Sequence, residues 1–176
     1  LHASLALLST DATHVDFLKQ RLLSAQPSQV PVIRELLLSH KAELLQELWQ
    51  IVQQPEPEQE KSILHAAAAL AGFAPDSEQW KDASITARVV IKLVSENPLR
   101  AAIWIDSLQP IRGTLFQSLA EVFKNRDEKF SDAQRDLATD ILEQLAADDV
   151  ASLSQLILEA EPKQFVALFD KFAAYG

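Results

Sequence analysis

The chain has no cysteine and no methionine, and only three glycines and one tyrosine among its 176 residues. Without cysteine there is no disulfide, no thiolate metal site and no cysteine nucleophile. The composition fits a reducing compartment, so the expected location is cytoplasmic. Methionine is missing from position 1 as well, and no charged-then-apolar leader precedes Leu1, so the sequence reads as a fragment of a longer chain. Glycines at 72, 113 and 176 cannot assemble a phosphate-cradling loop or a dinucleotide fingerprint. No uncharged run is long enough for a membrane span. Positive charge is short too: 16 basic residues face 25 acidic ones, a net charge of -9 that disfavours nucleic acid and anionic lipid as partners.

What is abundant is leucine and alanine, 27 and 25 residues, against only 10 valines, 10 isoleucines and 5 threonines, a bias towards helix over strand. Apolar residues recur at helical spacing, as in Val15, Leu18, Leu22 and in Leu44, Leu48, Ile51, and no alternating strand pattern is present. Polar and Pro-containing breaks divide the chain into about eleven short helices. Asn97 reads as an N-cap with Pro98 in the first helical position, and Ser131 and Asp149 as further caps. Gln26 and Glu161 precede prolines but are poor capping types. Gly72 reads as a helix end and Gly113 as a turn.

The pattern repeats internally. Leu5, Leu8, Asp11 recurs as Leu70, Phe73, Asp76 and as Leu142, Leu145, Asp148, and a proline follows each set, at 27, 98 and 162. Three, six and ten residues beyond each proline stand Val30, Ile33, Leu37, then Ala101, Trp104, Leu108, then Phe165, Leu168, Phe172: one helical stripe written three times. Leu44, Leu48 and Ile51 match Leu115, Leu119 and Val122 at an offset of 71, giving the first two copies a fourth helix that the third lacks. The reading is a single all-α domain over 1–176, with copies at 1–60 and 61–130 and a truncated copy at 131–176. Helix pairs of this size complete a core only by stacking, which predicts a right-handed α-solenoid of antiparallel pairs rather than a closed bundle.

No catalytic constellation emerges. Asp16, Phe17, Leu18 imitates a kinase metal motif in two residues and falls inside a helix, and no nucleophile elbow occurs. His2, His14, His40 and His65 have no partners at metal-binding spacing and read as structural or solvent-facing. Glu56, Glu58 and Glu60 sit in a Pro and Gln-rich linker as solvated charges, and Asp148 and Asp149 mark a helix start. Trp104 lies on the repeated stripe and Trp49 reads as cover for a neighbouring pair. Trp80, in the longer acidic connection, is open to a core or a ligand-contact reading. Lys41 and Arg112 occupy matching positions before the fourth helix, and basic residues cluster in the middle of the chain, at Lys81, Arg88, Lys92, Arg100, Arg112, Lys124, Arg126 and Lys129. That cluster either presents cations to an acidic peptide or serves solubility. Lys41, Trp80, Arg88, Lys92 and Arg112 are therefore the candidate partner-binding residues, and no metal or cofactor is expected.

The phrases around these anchors carry a resemblance. Leu5-Ala6-Leu7-Leu8, Val15-Asp16-Phe17-Leu18 with Arg21-Leu22-Leu23, Ala66 to Ala71, Pro75-Asp76-Ser77, Asn97-Pro98 and Leu108 to Gly113 resemble a helical-repeat region of large bacterial signalling proteins. In those the region accompanies a serine/threonine kinase domain and sometimes a domain similar to the formylglycine-generating enzyme. The chain also resembles HEAT and armadillo folds in general. The threefold stripe and the absence of a catalytic constellation point to a non-catalytic protein-interaction or spacer module, which the resemblance places in a signalling protein. The alternatives are a helical-repeat enzyme acting on nucleic acid, and a homodimerisation domain.

Overall fold

A computed structural model describes residues 12–125, 129–145 and 150–173. Among them the regular structure is entirely helical, with no strand. The α-helices are α1 (Ala12–Leu22), α2 (Val30–Leu36), α3 (Lys41–Gln53), α4 (Ile63–Phe73), α5 (Ala83–Val94), α6 (Pro98–Leu108), α7 (Arg112–Lys124), α8 (Asp132–Leu145), α9 (Val150–Glu159) and α10 (Pro162–Ala173). The described residues hold ten α-helices where about eleven were expected over the whole chain, the first expected one lying outside them, and several of the breaks are 3-10 turns, at Pro27–Gln29, Leu38–His40, Pro57–Ser62, Glu78–Lys81 and Gln109–Ile111.

Part of the repeat has a structural counterpart. The 3-10 turn Leu38–His40 and helix α3 (Lys41–Gln53) reappear, 71 residues on, as Gln109–Ile111 and α7 (Arg112–Lys124) with the same bounds. Even a minor bond repeats, for Ser24 Oγ donates to the Gln20 carbonyl at 2.9 Å and Ser95 Oγ to the Ile91 carbonyl at 2.7 Å. Val30, Ile33 and Leu37 are buried, as are Ala101, Trp104 and Leu108. The third stripe departs from this. Leu168 is fully buried, but Phe165 is 40 % exposed and stacks on Phe169, while Gln164 turns inward instead. Gln164 does so because its amide is used twice, accepting from the Glu161 N–H and donating to the Phe123 carbonyl. Leu5, Leu8, Asp11, Asp148, Asp149 and His2 lie outside the described residues, and so does the side chain of Phe172.

The first turns of the helices are capped in a way the sequence reading undervalued. Asn97 accepts the Leu99 N–H at 3.0 Å, and Ser131 and Gln134 form a reciprocal capping box, both as expected. Gln26, Glu56 and Glu161 are capped from the other side. The glutamine three residues on (Gln29, Gln59, Gln164) accepts their backbone N–H, at 3.4, 3.1 and 2.9 Å. Gln26 and Glu161 are thus sound boundaries despite their residue types, because the cap is supplied by the following glutamine. Glu60 is likewise no idle linker charge, since it pairs with Lys92.

Helix α4 is the centre of the packing. It touches α2, α3, α5 and α6, and every residue from Ile63 to Ala71 is buried. Alanine at 66 to 69 keeps this helix thin, so neighbours can approach from all sides. A second set of contacts links α3 to α5 and α5 to α7, α8 and α10 pack beyond them, and α9 packs on α10. Gly72 lies in the last turn of α4, as read, but Gly113 is the second residue of α7 rather than a turn. Gly72 is needed for close approach. A Cβ there would stand 2.5 Å from Nε of Arg34, whose Nη1 donates to the Ala68 carbonyl at 3.0 Å.

This contact generates a test with a sign change. In an otherwise native chain, Gly72→Ala displaces the guanidinium and loses a charge-assisted bond of about 1.5–3 kcal/mol, against a helix-propensity gain of about 1 kcal/mol. Urea denaturation should show net destabilisation in the native background and stabilisation of about 1 kcal/mol in an Arg34→Ala background, where the clash is gone.

Candidate functional site

The five candidate partner-binding residues separate in the structure. Trp80 is 1 % exposed: its indole packs edge-on against Trp49, with centroids 4.7 Å apart, and its Nε1 donates to the Ala74 carbonyl. The ligand-contact reading is thereby overturned and Trp80 is a core residue. The acidic connection that suggested exposure is itself a 3-10 turn, Glu78–Lys81, folded back onto α3. Arg88 is half-buried and donates to the Val52 and Gln53 carbonyls at the C-terminus of α3, closing acceptors that no helical N–H can reach. Lys41 and Arg112 are the first residues of α3 and α7 and both are exposed. Arg112 borders a small apolar crevice with Leu108 and Leu145. Of the five, Lys92 lines a cleft between two turns.

That cleft, of about 620 Å³, forms where the turn after α1 meets the turn after α5. These two turns, Ser24 to Pro27 and Ser95 to Pro98, are equivalent segments of the first and second copies. Its sides are Leu23, Ser24, Gln26, Ser95 and Leu64, and its charged rim is Glu60, Lys61, Lys92, Glu96 and Arg100. Lys92 pairs with Glu60, and Arg100 Nε lies 3.4 Å from Glu96. Both pairs are partly exposed, so each holds its side chains in place weakly, at about 0–1 kcal/mol.

His65 and Trp104 form the floor, 8 % and 1 % exposed, with rings edge to face at 4.8 Å. His65 Nε2 lies 2.9 Å from the Ala25 carbonyl, which assigns the proton to Nε2 in the neutral ring and leaves Nδ1 as an acceptor. Neither His65 Nδ1 nor Trp104 Nε1 has a hydrogen-bond partner among the described residues, although both atoms are buried. One is an acceptor and the other a donor. Burial holds the imidazole below its ordinary pKa, against the favourable carbonyls of Ala25 and Lys61.

Sequence reasoning missed Lys61, Arg100 and the floor pair as members of one site. The offset of 71 already aligned Ser24 with Ser95, but nothing in one dimension shows that equivalent turns face each other across α4. The described residues include no group of three or more His, Asp or Glu placed to hold a metal ion, and no helix among them is long and apolar enough to cross a membrane.

Two outcomes follow from the polar contacts. Arg88→Met keeps the stem but leaves two helix-end carbonyls open, and chemical denaturation should show a loss of about 2 kcal/mol. For His65 the folded pKa lies below the unfolded value of about 6.5. Its contribution is therefore complete above that pH and declines as pH falls through it, because the unfolded chain then binds the proton more readily. The melting temperature should drop between pH 7 and pH 5, and His65→Gln, which keeps a donor for Ala25 without titrating, should flatten that drop.

No protein-family model matches the chain, and neither the curated proteins nor the solved structures compared with it give a match.

Proposed function

We propose that this chain is a non-catalytic protein-interaction module, a curved right-handed solenoid of helix pairs in the manner of HEAT and armadillo folds. The observation that carries the reading is the recurrence of Leu38–Gln53 as Gln109–Lys124, bound for bound, with equivalent apolar side chains left at the surface. Val32 on α2 and Ile103 on α6 are 71 residues apart and are 56 % and 37 % exposed. A repeated unit that exposes an apolar group at the same position offers a regularly spaced contact surface, which is how stacked helical repeats build extended binding faces. The contacts of α3 with α5 and of α5 with α7 support stacking, and enclosure of α4 by α2 and α6 supports tight curvature. The sequence resemblance extends the proposal to a cytoplasmic signalling protein carrying a serine/threonine kinase domain.

The test is capture by the immobilised chain, with retained proteins identified by mass spectrometry. The double variant Val32→Glu, Ile103→Glu should keep the native far-UV circular dichroism and lose the captured partner. Retention of the same partner by both chains would remove the repeated surface from consideration and leave a spacer. Sedimentation of the native chain tests whether the partner is a second copy.

A further inference from the structure

The repeat has an outer side as well as a buried one. Val32 and Ile103 stand at equivalent positions and both are exposed, and on α6 the face is carried further by Leu99, one turn earlier and 81 % exposed. Three residues beyond each member of that pair comes an exposed carboxylate, Glu35 on α2 and Asp106 on α6. The third copy has the same residue type at Asp170, 64 residues after Asp106, its side chain lying outside the described residues. A spacing of three on a helix puts the apolar group and the carboxylate side by side.

Neither carboxylate is used by the fold. Glu35 and Asp106 lie in the last turns of their helices, where the negative end of the macrodipole disfavours an anion. Neither has an ion pair among the described residues. The cations of the same two helices are engaged elsewhere, for Arg34 reaches to the Ala68 carbonyl and Arg100 lies against Glu96. Arg112, at the start of α7, borders the crevice with Leu108 and Leu145. The two helices are also neighbours: both pack on α4, and the 3-10 turn that opens α2 packs directly on α6.

We propose that the outer faces of α2 and α6 together dock a basic amphipathic helix of a partner protein. Its apolar side chains meet Val32, Leu99 and Ile103, and a lysine or arginine one turn away pairs with Glu35 and with Asp106. Such a partner supplies in each copy the cation that a helix C-terminus favours, and the net charge of -9 draws a cationic segment to the chain. An acidic partner, a second copy of this chain included, would bring like charge to the same carboxylates. The inference rests on the interaction-module reading and names the partner chemistry for it.

The experiment measures, by fluorescence anisotropy at physiological salt, binding of the native chain to a fluorescein-labelled peptide of leucine and lysine with the leucines at alternating spacings of three and four. One control peptide replaces lysine with glutamate, and another scrambles the order so that no apolar face forms. The amphipathic basic peptide should bind saturably, and both controls at least about tenfold more weakly. Glu35→Gln with Asp106→Asn should weaken binding by about tenfold, as two partly exposed ion pairs provide, and should leave the melting temperature unchanged or raised. Glu58→Gln with Glu121→Gln removes the same charge from exposed carboxylates on other elements and should alter binding by less than about twofold. Val32→Ser with Ile103→Ser should weaken it by about tenfold or more. Equal weakening by the two carboxylate pairs, no weakening by the serine pair, or equal binding of the scrambled peptide would overturn the proposal. Failure of the peptide while capture stays sensitive to Val32 and Ile103 would overturn this inference alone, whereas failure of both would remove the repeated surface altogether.

Discussion

The arrangement depends on how helix C-termini are closed. Each α-helix ends with carbonyls that no helical N–H can reach, and the common solution is a glycine in the left-handed conformation just past the end. This chain has three glycines, and among the described residues none takes positive φ. Side chains from elsewhere in the sequence supply the donors instead. Ser62 and His65 serve the Leu23 and Ala25 carbonyls after α1, Arg88 serves the end of α3, and Gln164 the end of α7. The bonds of Arg88 and Gln164 each finish one helix and fix the position of another, and those of Ser62 and His65 tie α4 to the turn after α1, so local and tertiary structure are one constraint.

That constraint explains why α4 can be so bland in sequence and so central in space. A helix with four consecutive alanines has little side-chain volume with which to specify its neighbours. Polar contacts at its start and its middle tie it to its neighbours: Ser62 and His65 bond backward to the turn after α1, and Arg34 reaches across to the Ala68 carbonyl where Gly72 leaves room. The large buried groups then lock the surroundings. Trp104 lies against His65, and Trp80 against Trp49. Burying a large side chain contributes about 1.5–3 kcal/mol, well above what partly exposed ion pairs such as Lys92 with Glu60 provide.

Helical class, the cap at Asn97 and the offset of 71 were legible because they rest on local periodicity and residue type. So was the burial of both apolar stripes in the first two copies. The third stripe misled because the pattern of Phe165, Leu168, Phe172 says nothing about polar competition, and Gln164 took an inward place by bonding at both ends of its amide. Trp80 misled for a related reason: acidic surroundings suggested a surface, whereas a 3-10 turn carried the ring onto Trp49. The cleft was illegible, since Lys61, Lys92 and Arg100 are ordinary surface residues until the fold places them around His65 and Trp104.

Closing helix ends with donors that lie farther along the chain gives synthesis a direction. The residue that finishes α3 lies 36 and 35 positions beyond the carbonyls it serves, and the one that finishes α7 lies 41 beyond. On the ribosome each of these helices must therefore wait, frayed at its trailing edge, until the next portion of the polypeptide leaves the exit tunnel and completes it.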